Sequence, residues 1–467
     1  MPLHVADKGK QTCSATMRTN IRAGRHPATA DGAIAPARWE IRHGGRQVAS
    51  LYLNVMSLED IYNANALFDG FMKSRQGVEW KESVQGYEAN LLLNILHTRK
   101  DLMTDSYAPR PMTEFRLNER GHTRHIKAQH IADRVVQRSL NDNVLIPKVR
   151  PMLIYDNGAS LKDKGLDFAR RRFEVHLRNA YKEYGCDAYI LLMDFTKYYD
   201  NVRHKEALEM FAKVLEDDEL HFLSKCFEEF AVDVSYMSDE EYVACMNKPF
   251  NALAYAEMPK QGHTGKRFMR KSLGIGNQSA QVTGIFYPHA IDNYCKTVKG
   301  LRYYGRYMDD TYIIMQDKTE LKALYEKIRS MCAELGIFIN EKKTHIRKIS
   351  GSLTWLKINY RLKQSGGLVR KVHSSTFRRE RRKLKRFHES YKAGRMSYQH
   401  INQCYKSWRG TYTRYDSGAK LRKLDNYFKK LFEEENQNGR KAEEHSGKTA
   451  GNHQSSDTSC KQKLRDW

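Results

Sequence analysis

Two apolar runs that stop at carboxylates limit what this chain can fold into. Ala188-Tyr-Ile-Leu-Leu-Met193 has no helical period and ends at Asp194, so it reads as a buried strand. Leu301 to Ile314 reads as two strands around a tight turn, and the turn holds Asp309 and Asp310. A turn between apolar strands is a poor place for two adjacent acids, because like charges repel. Two divalent cations reverse that balance, since hard cations take oxygen ligands and bring the missing counter-charge. Such ions, about 4 Å apart, activate an attacking hydroxyl and stabilise a leaving phosphate group. An Asp-Asp pair alone is also what an ordinary solvated turn carries; the specific signal is the pair together with Asp194.

Composition points the same way. Lys and Arg total 80 against 55 Asp and Glu, a net charge of +25. That surplus calls for a polyanionic partner, nucleic acid before membrane surface. The eight cysteines are scattered with no C-x-x-C pair, which argues against a zinc ribbon or a disulfide framework and suits a reducing cytosol. No apolar run has the length of a membrane span. With 40% hydrophobic residues in 467, two or three subdomains with real cores are expected.

Along the chain, residues 1–50 lack periodicity and read as an irregular extension. A helix should follow an N-cap at Ser57, with Ile61, Ala64, Leu67, Phe68 and Phe71 on one face. A second helix is expected from Tyr87 to His97, burying Leu91, Leu92, Ile95 and Leu96. A hairpin should turn at Asn118-Glu119-Arg120-Gly121, before helices at Ile131–Leu140 and Phe168–Tyr184. Gln278–Val298 reads as a long helix broken at Pro288, Leu321–Leu335 as a helix, and Ile337–Ile339 as a strand. Residues 353–362 suit a hairpin, 375–432 basic helix, and 433–467 an irregular polar tail.

Tyr307-Met308-Asp309-Asp310 resembles the central motif of reverse transcriptases, and Asp194-Phe195-Thr196-Lys197-Tyr198-Tyr199-Asp200 resembles their first metal-binding motif. Both stand in the family's order. The resemblance implies an α+β right-hand polymerase, with an antiparallel palm sheet flanked by helices and a helical thumb. It implies N-terminal helices and fingers over 51–185, palm over 186–350, and primer grip and thumb over 351–432. It also implies that Asp194 and Asp309 ligate two Mg²⁺ ions (Mn²⁺ substituting), that Asp310 supports them, and that the Phe195 carbonyl completes one shell. Tyr199 then stands beneath the incoming sugar, where a ring clashes with a 2′-hydroxyl and selects dNTP.

Further positions follow from the resemblance. Arg124 resembles the fingers arginine that grips the triphosphate, a task that suits a two-pronged donor. Ile154–Ser160 and Lys164-Gly165 resemble a fingers motif that positions template and nucleotide. Ser272-Leu273-Gly274-Ile275-Gly276-Asn277-Gln278-Ser279-Ala280-Gln281 resembles the motif after the first carboxylate, with Ile275, Gly276 and Gln281 near template and nucleotide. Its Gly-Ile-Gly, where many relatives have Pro-Gln-Gly, is similar to diversity-generating retroelement and defence-associated bacterial enzymes. Lys343 is a candidate proton donor to pyrophosphate, and Leu353-Thr354-Trp355-Leu356 resembles the primer-grip hairpin. Phe377–Arg386 holds seven cations and one acid, as a thumb helix on a duplex requires.

The implied activity is RNA-directed DNA synthesis in the cytoplasm, in a bacterial or phage retroelement or defence system. The partners implied are an RNA template, a DNA or RNA primer and dNTPs, with an accessory protein as a further candidate and no membrane. Two alternatives stand beside it: an RNA-dependent RNA polymerase on the same fold, which Tyr199 argues against, and a non-catalytic RNA-binding component, which the intact acids argue against.

Overall fold

The computed structural model describes residues 38–43, 46–52, 58–119, 122–256 and 262–446. Its contacts divide the chain into two units, Met1–Glu59 and Asp60–Trp467. In the first, β1 (Arg38–His43) pairs antiparallel with β2 (Arg46–Tyr52), with a register shift at Ile41/Arg42. The irregular extension expected over 1–50 is therefore corrected over its last part, where Trp39-Glu40-Ile41-Arg42 alternates as strands do. Residues 1–37 and the expected cap Ser57 lie outside the described residues.

The second unit opens with helices α1 (Ala64–Ser74), α2 (Glu82–Ala89) and α3 (Leu91–Met103). Asn63 caps α1, its side chain accepting from Asn65 N–H at 2.9 Å. The expected Tyr87–His97 helix is instead two helices separated at Asn90. α3 buries Ile95, Thr98 and Leu102, in phase with Val84 and Tyr87 of α2, whereas Leu92 and Leu96 lie off that stripe and are exposed. β3 (Thr113–Glu119) and β4 (His122–Ala128) form the expected hairpin, and α4 (Ile131–Leu140) follows where expected.

After α5 (Leu166–Tyr184) comes β5 (Tyr189–Met193), the second strand of a four-stranded antiparallel sheet. Next stand α6 (Tyr198–Asn201), α7 (His204–Phe211) and α8 (Asp217–Glu228). A segment with its own small core follows, built from β6 (Val232–Asp233), α9 (Asp239–Asn247), α10 (Ala252–Ala256) and β7 (Phe268–Met269). The expected Gln278–Val298 helix breaks at Pro288 into α11 (Gln278–Phe286) and α12 (His289–Asn293), then ends in a π-turn. β8 (Tyr304–Tyr307), β9 (Asp310–Met315), α13 (Lys318–Glu334) and β10 (His345–Lys348) complete the sheet in the order β10-β5-β9-β8. Ile337–Ile339 is corrected from a strand to a single bridge, Ile339 opposite Phe195.

β11 (Ser352–Trp355), β12 (Ile358–Leu362) and β13 (Leu368–Val372) make a three-stranded sheet, one strand more than the expected hairpin. α14 (Ser374–Lys392), α15 (Tyr398–Tyr412) and α16 (Gly418–Ser446) close the described chain. The polar tail expected from 433 is thus helical to Ser446, and the rest lies outside the described residues.

The main core lies where α5 is sandwiched between the two sheets. Phe173 of α5 touches Tyr312, Trp355 and Tyr360, each with ring centres 4.8 Å apart. Ile190 and Leu192 of β5 face this core, while Leu191 and Met193 are buried on the other side. Burial on both faces is why β5 is a continuous apolar run. The last three helices pack on their own aromatic core, with Tyr405 stacked on Phe428 at 4.4 Å. Among the described residues the cysteines are free thiols, and no helix is long and apolar enough to cross a membrane.

Candidate active site

The strand register gathers the acids. Met193 pairs with Thr311, so Asp194 follows at the level of Asp310. Tyr307 pairs with Asp310, which leaves Met308 and Asp309 as a two-residue turn. Burial raises the Asp309 carboxyl above its ordinary range, and the charge of Asp194 raises it further. Burial, then Asp309 and Asp194, push Asp310 up to about 7. The three acids thus feel one another in a partly dry place.

Asp194 is only 8% exposed and is held on several sides. Lys343 Nζ donates to its two oxygens at 3.1 and 2.9 Å, and Asn340 Nδ2 donates to Oδ2 at 3.2 Å. Burial pulls the Lys343 ammonium down, but its bond to Asp194 and the attraction of all three acids outweigh this and leave it raised. Asn340 N–H also donates to the Asp194 carbonyl at 2.8 Å, and Thr196 N–H to the Phe338 carbonyl at 2.6 Å. Those bonds bind the two neighbours of Phe195 to the 338–340 segment. In an antiparallel bridge this turns the Phe195 carbonyl away from the 338–340 segment.

Among the described residues, no three Asp, Glu, His or Cys side chains are gathered closely enough to hold a metal ion by themselves. The donor chemistry nevertheless fits a hard divalent cation: carboxylate oxygens, with Asp309 and Asp310 raised by burial and then by the acidic charge beside them.

The turn is braced from behind. Met308 sits at φ 54°, a left-handed conformation that a bulky residue adopts only when surroundings force it. Arg306 Nη1 donates to the Met308 carbonyl at 3.1 Å and Nη2 to the Ile285 carbonyl at 2.7 Å. Arg306 and Asp292 form an ion pair at 2.5 Å, each side chain 1% exposed. The Arg306 main chain is knitted to the 156–158 loop through Gly158 N–H, at 2.8 Å. That loop is buried, with Asp156 bound to Arg172 at 2.6 Å and Lys296 at 2.7 Å, so it braces the sheet. Neither Arg306 nor Asn340 is singled out by sequence reasoning. The signal for Arg306 was a lone cation inside an apolar strand.

The other expected residues are placed as follows. The Tyr199 hydroxyl donates to Met308 Sδ at 3.6 Å, and burial followed by the Asp309 charge raises its pKa. Arg124 is exposed on β4, and its charge acts on Asp309. Ile275 is half-buried; its carbonyl accepts from Lys127 N–H at 3.3 Å, which joins β4 to the 274–276 loop. Gly276 is exposed at φ +117°, a conformation that L side chains rarely adopt. Gln281 lies exposed on α11. At the β11–β12 turn Leu356 and Lys357 are both left-handed, at φ 45° and 65°. Buried Arg170 donates to the Leu356 carbonyl at 3.2 and 2.5 Å, and the Lys357 charge reaches Asp310. Arg378, Arg381, Arg382, Lys385 and Arg386 are exposed on α14.

Comparison with protein families places residues 116–360, just over half of the chain, on the model for reverse transcriptase (RNA-dependent DNA polymerase). No curated protein matches the chain.

Proposed function

The chain belongs to the reverse transcriptase family, and from that premise we propose that it is an active RNA-directed DNA polymerase that extends a primer on an RNA template with dNTPs. The observation that carries the proposal is the meeting of Asp194, Asp309 and Asp310 at one end of the sheet, where burial first and acidic charge second raise Asp309 and Asp310. Asp194, Asp309, Asp310 and the Phe195 carbonyl would hold two Mg²⁺ ions, which when bound activate the primer 3′-hydroxyl and neutralise the leaving pyrophosphate. Asn340 orients Asp194 for that task. Lys343 keeps a proton at Nζ within reach of the leaving oxygens, and its side chain is 64% exposed and able to swing. Arg124 grips the triphosphate and Tyr199 excludes a 2′-hydroxyl. Ile275, Gly276 and Gln281 meet the template–nucleotide pair.

The same reading makes 51–185 N-terminal helices and fingers, 186–350 palm and 351–432 primer grip and thumb. The resemblance of Gly274-Ile275-Gly276 to diversity-generating retroelement and defence-associated enzymes supports a bacterial or phage setting, in a retroelement or defence system. The test is incorporation of labelled dNTPs on a primed RNA with Mg²⁺. Asp309→Ala should cut the rate by at least about a thousandfold, because it removes charge that the transition state needs. Equal rates in the two proteins would sink the assignment.

A further inference from the structure

α11 carries a glycine that its backbone does not need. Gly284 is buried in the last turn of α11, where alanine is still the better helix former. Side-chain room explains it. A Cβ at Gly284 would stand 2.9 Å from the Tyr199 hydroxyl oxygen, 3.2 Å from Cζ and 3.5 Å from Cε1. The ring therefore lies flush against the helix. On its other side the hydroxyl donates to Met308 Sδ at 3.6 Å. The adjoining Tyr198 hydroxyl donates to the Gly284 carbonyl at 2.8 Å, and Arg306 Nη2 to the Ile285 carbonyl at 2.7 Å. One stretch of α11 thus seats both tyrosines and the arginine behind the carboxylate turn.

We propose that Gly284 is a positioning residue that sets the depth of the Tyr199 ring, and through it the clearance left for the sugar of the incoming nucleotide. The proposal rests on the reading of Tyr199 as the sugar gate. Any side chain at 284 meets the ring oxygen at a distance that real Cβ atoms essentially never show, so the ring must shift. The helix blocks retreat, so the ring moves toward Met308 and the carboxylate turn, where the sugar belongs. The geometry also names its own remedy. The closest approach is to the hydroxyl oxygen, so removing that oxygen by Tyr199→Phe leaves an alanine at 284 with only the 3.2 Å approach to Cζ.

The experiment is a four-protein cycle: wild type, Gly284→Ala, Tyr199→Phe and the double variant, with Tyr199→Ala as a reference. Each full-length protein is assayed for KM and kcat with dNTP and with the matching rNTP on a primed RNA, and for thermal unfolding. We expect Gly284→Ala to raise the dNTP KM about tenfold, as a displaced group at a reacting site does, with kcat changed about twofold at most. The rNTP KM should rise further still. In the Tyr199→Phe background the same alanine should raise the dNTP KM about twofold at most, and should raise Tm rather than lower it. An unchanged KM in the single variant, or an equal rise in both backgrounds, overturns the proposal. If the single variant does not fold, the double variant decides: folding supports the steric seat, and failure overturns it. The gate reading fails separately, if Tyr199→Ala leaves dNTP preference over rNTP unchanged. If the wild type makes no product, the polymerase assignment and the sugar clearance fail together, and the Tm cycle decides the steric seat alone.

Discussion

At the scale of single residues, charges taken out of water are the most exposed to test. Arg306 and Asp292 are both almost fully buried. Arg306→Met strands the Asp292 carboxylate and should cost about 3–5 kcal/mol of stability in urea unfolding. Adding Asp292→Leu should recover most of that loss. It should not recover primer extension, because nothing then donates to the Met308 carbonyl. Asp200 offers a pH signature. Burial raises its carboxyl to about 6, although the Ala252 N–H at 3.3 Å favours the charged form. The folded state binds the proton more tightly than the unfolded one, whose value is 3.8. Its contribution is thus complete below pH 3.8 and lost as pH rises through 6. Asp200→Asn should match the wild type in acid and gain on it across that window, by at most about 1.4 kcal/mol per pH unit. Groups shared by both proteins drop out of the comparison, so a flat difference would refute the assignment.

At the scale of elements, those whose period is set by burial can be read directly from the chain. β5 was legible because a strand covered on both faces has to be apolar throughout, and β8 and β9 because apolar residues flank the acidic turn between them. α4, the helix over 168–184 and the break at Pro288 were legible from period and from the missing N–H of proline. Other features depend on neighbours that no local pattern records. Leu92 and Leu96 keep helical spacing with each other, yet the face that packs is the one carrying Tyr87, Ile95, Thr98 and Leu102, so they point outward. Gly284 and Asn340 act through residues 85 and 146 positions away, so nothing nearby in sequence marks them. α14 lies between these cases, since its stripe of Arg378, Arg381, Arg382, Lys385 and Arg386 follows helical spacing and is exposed. Replacing Arg378, Arg382 and Lys385 by Gln should weaken binding of an RNA–DNA duplex. The slope of log affinity against log salt should become shallower by about 0.7–0.9 for each phosphate that is no longer neutralised. An unchanged slope would remove α14 from the duplex interface.

At the scale of the whole molecule, the main fact is how far apart in sequence the pieces of the site lie. β5 pairs on one side with β9, Leu191 against Ile313, and on the other with β10, Ile346. The segment over 232–269 carries a core of its own and can gather without either partner. β5 cannot. During synthesis at about 5–20 residues per second, it leaves the ribosome and then waits on the order of ten seconds for β9 to be made. Through that interval Ile190, Leu191, Leu192 and Met193 are a sticky, unpaired edge on a nascent chain. The central strand that holds Asp194 in the finished protein is, while the chain is being built, a stretch that a chaperone would have to cover.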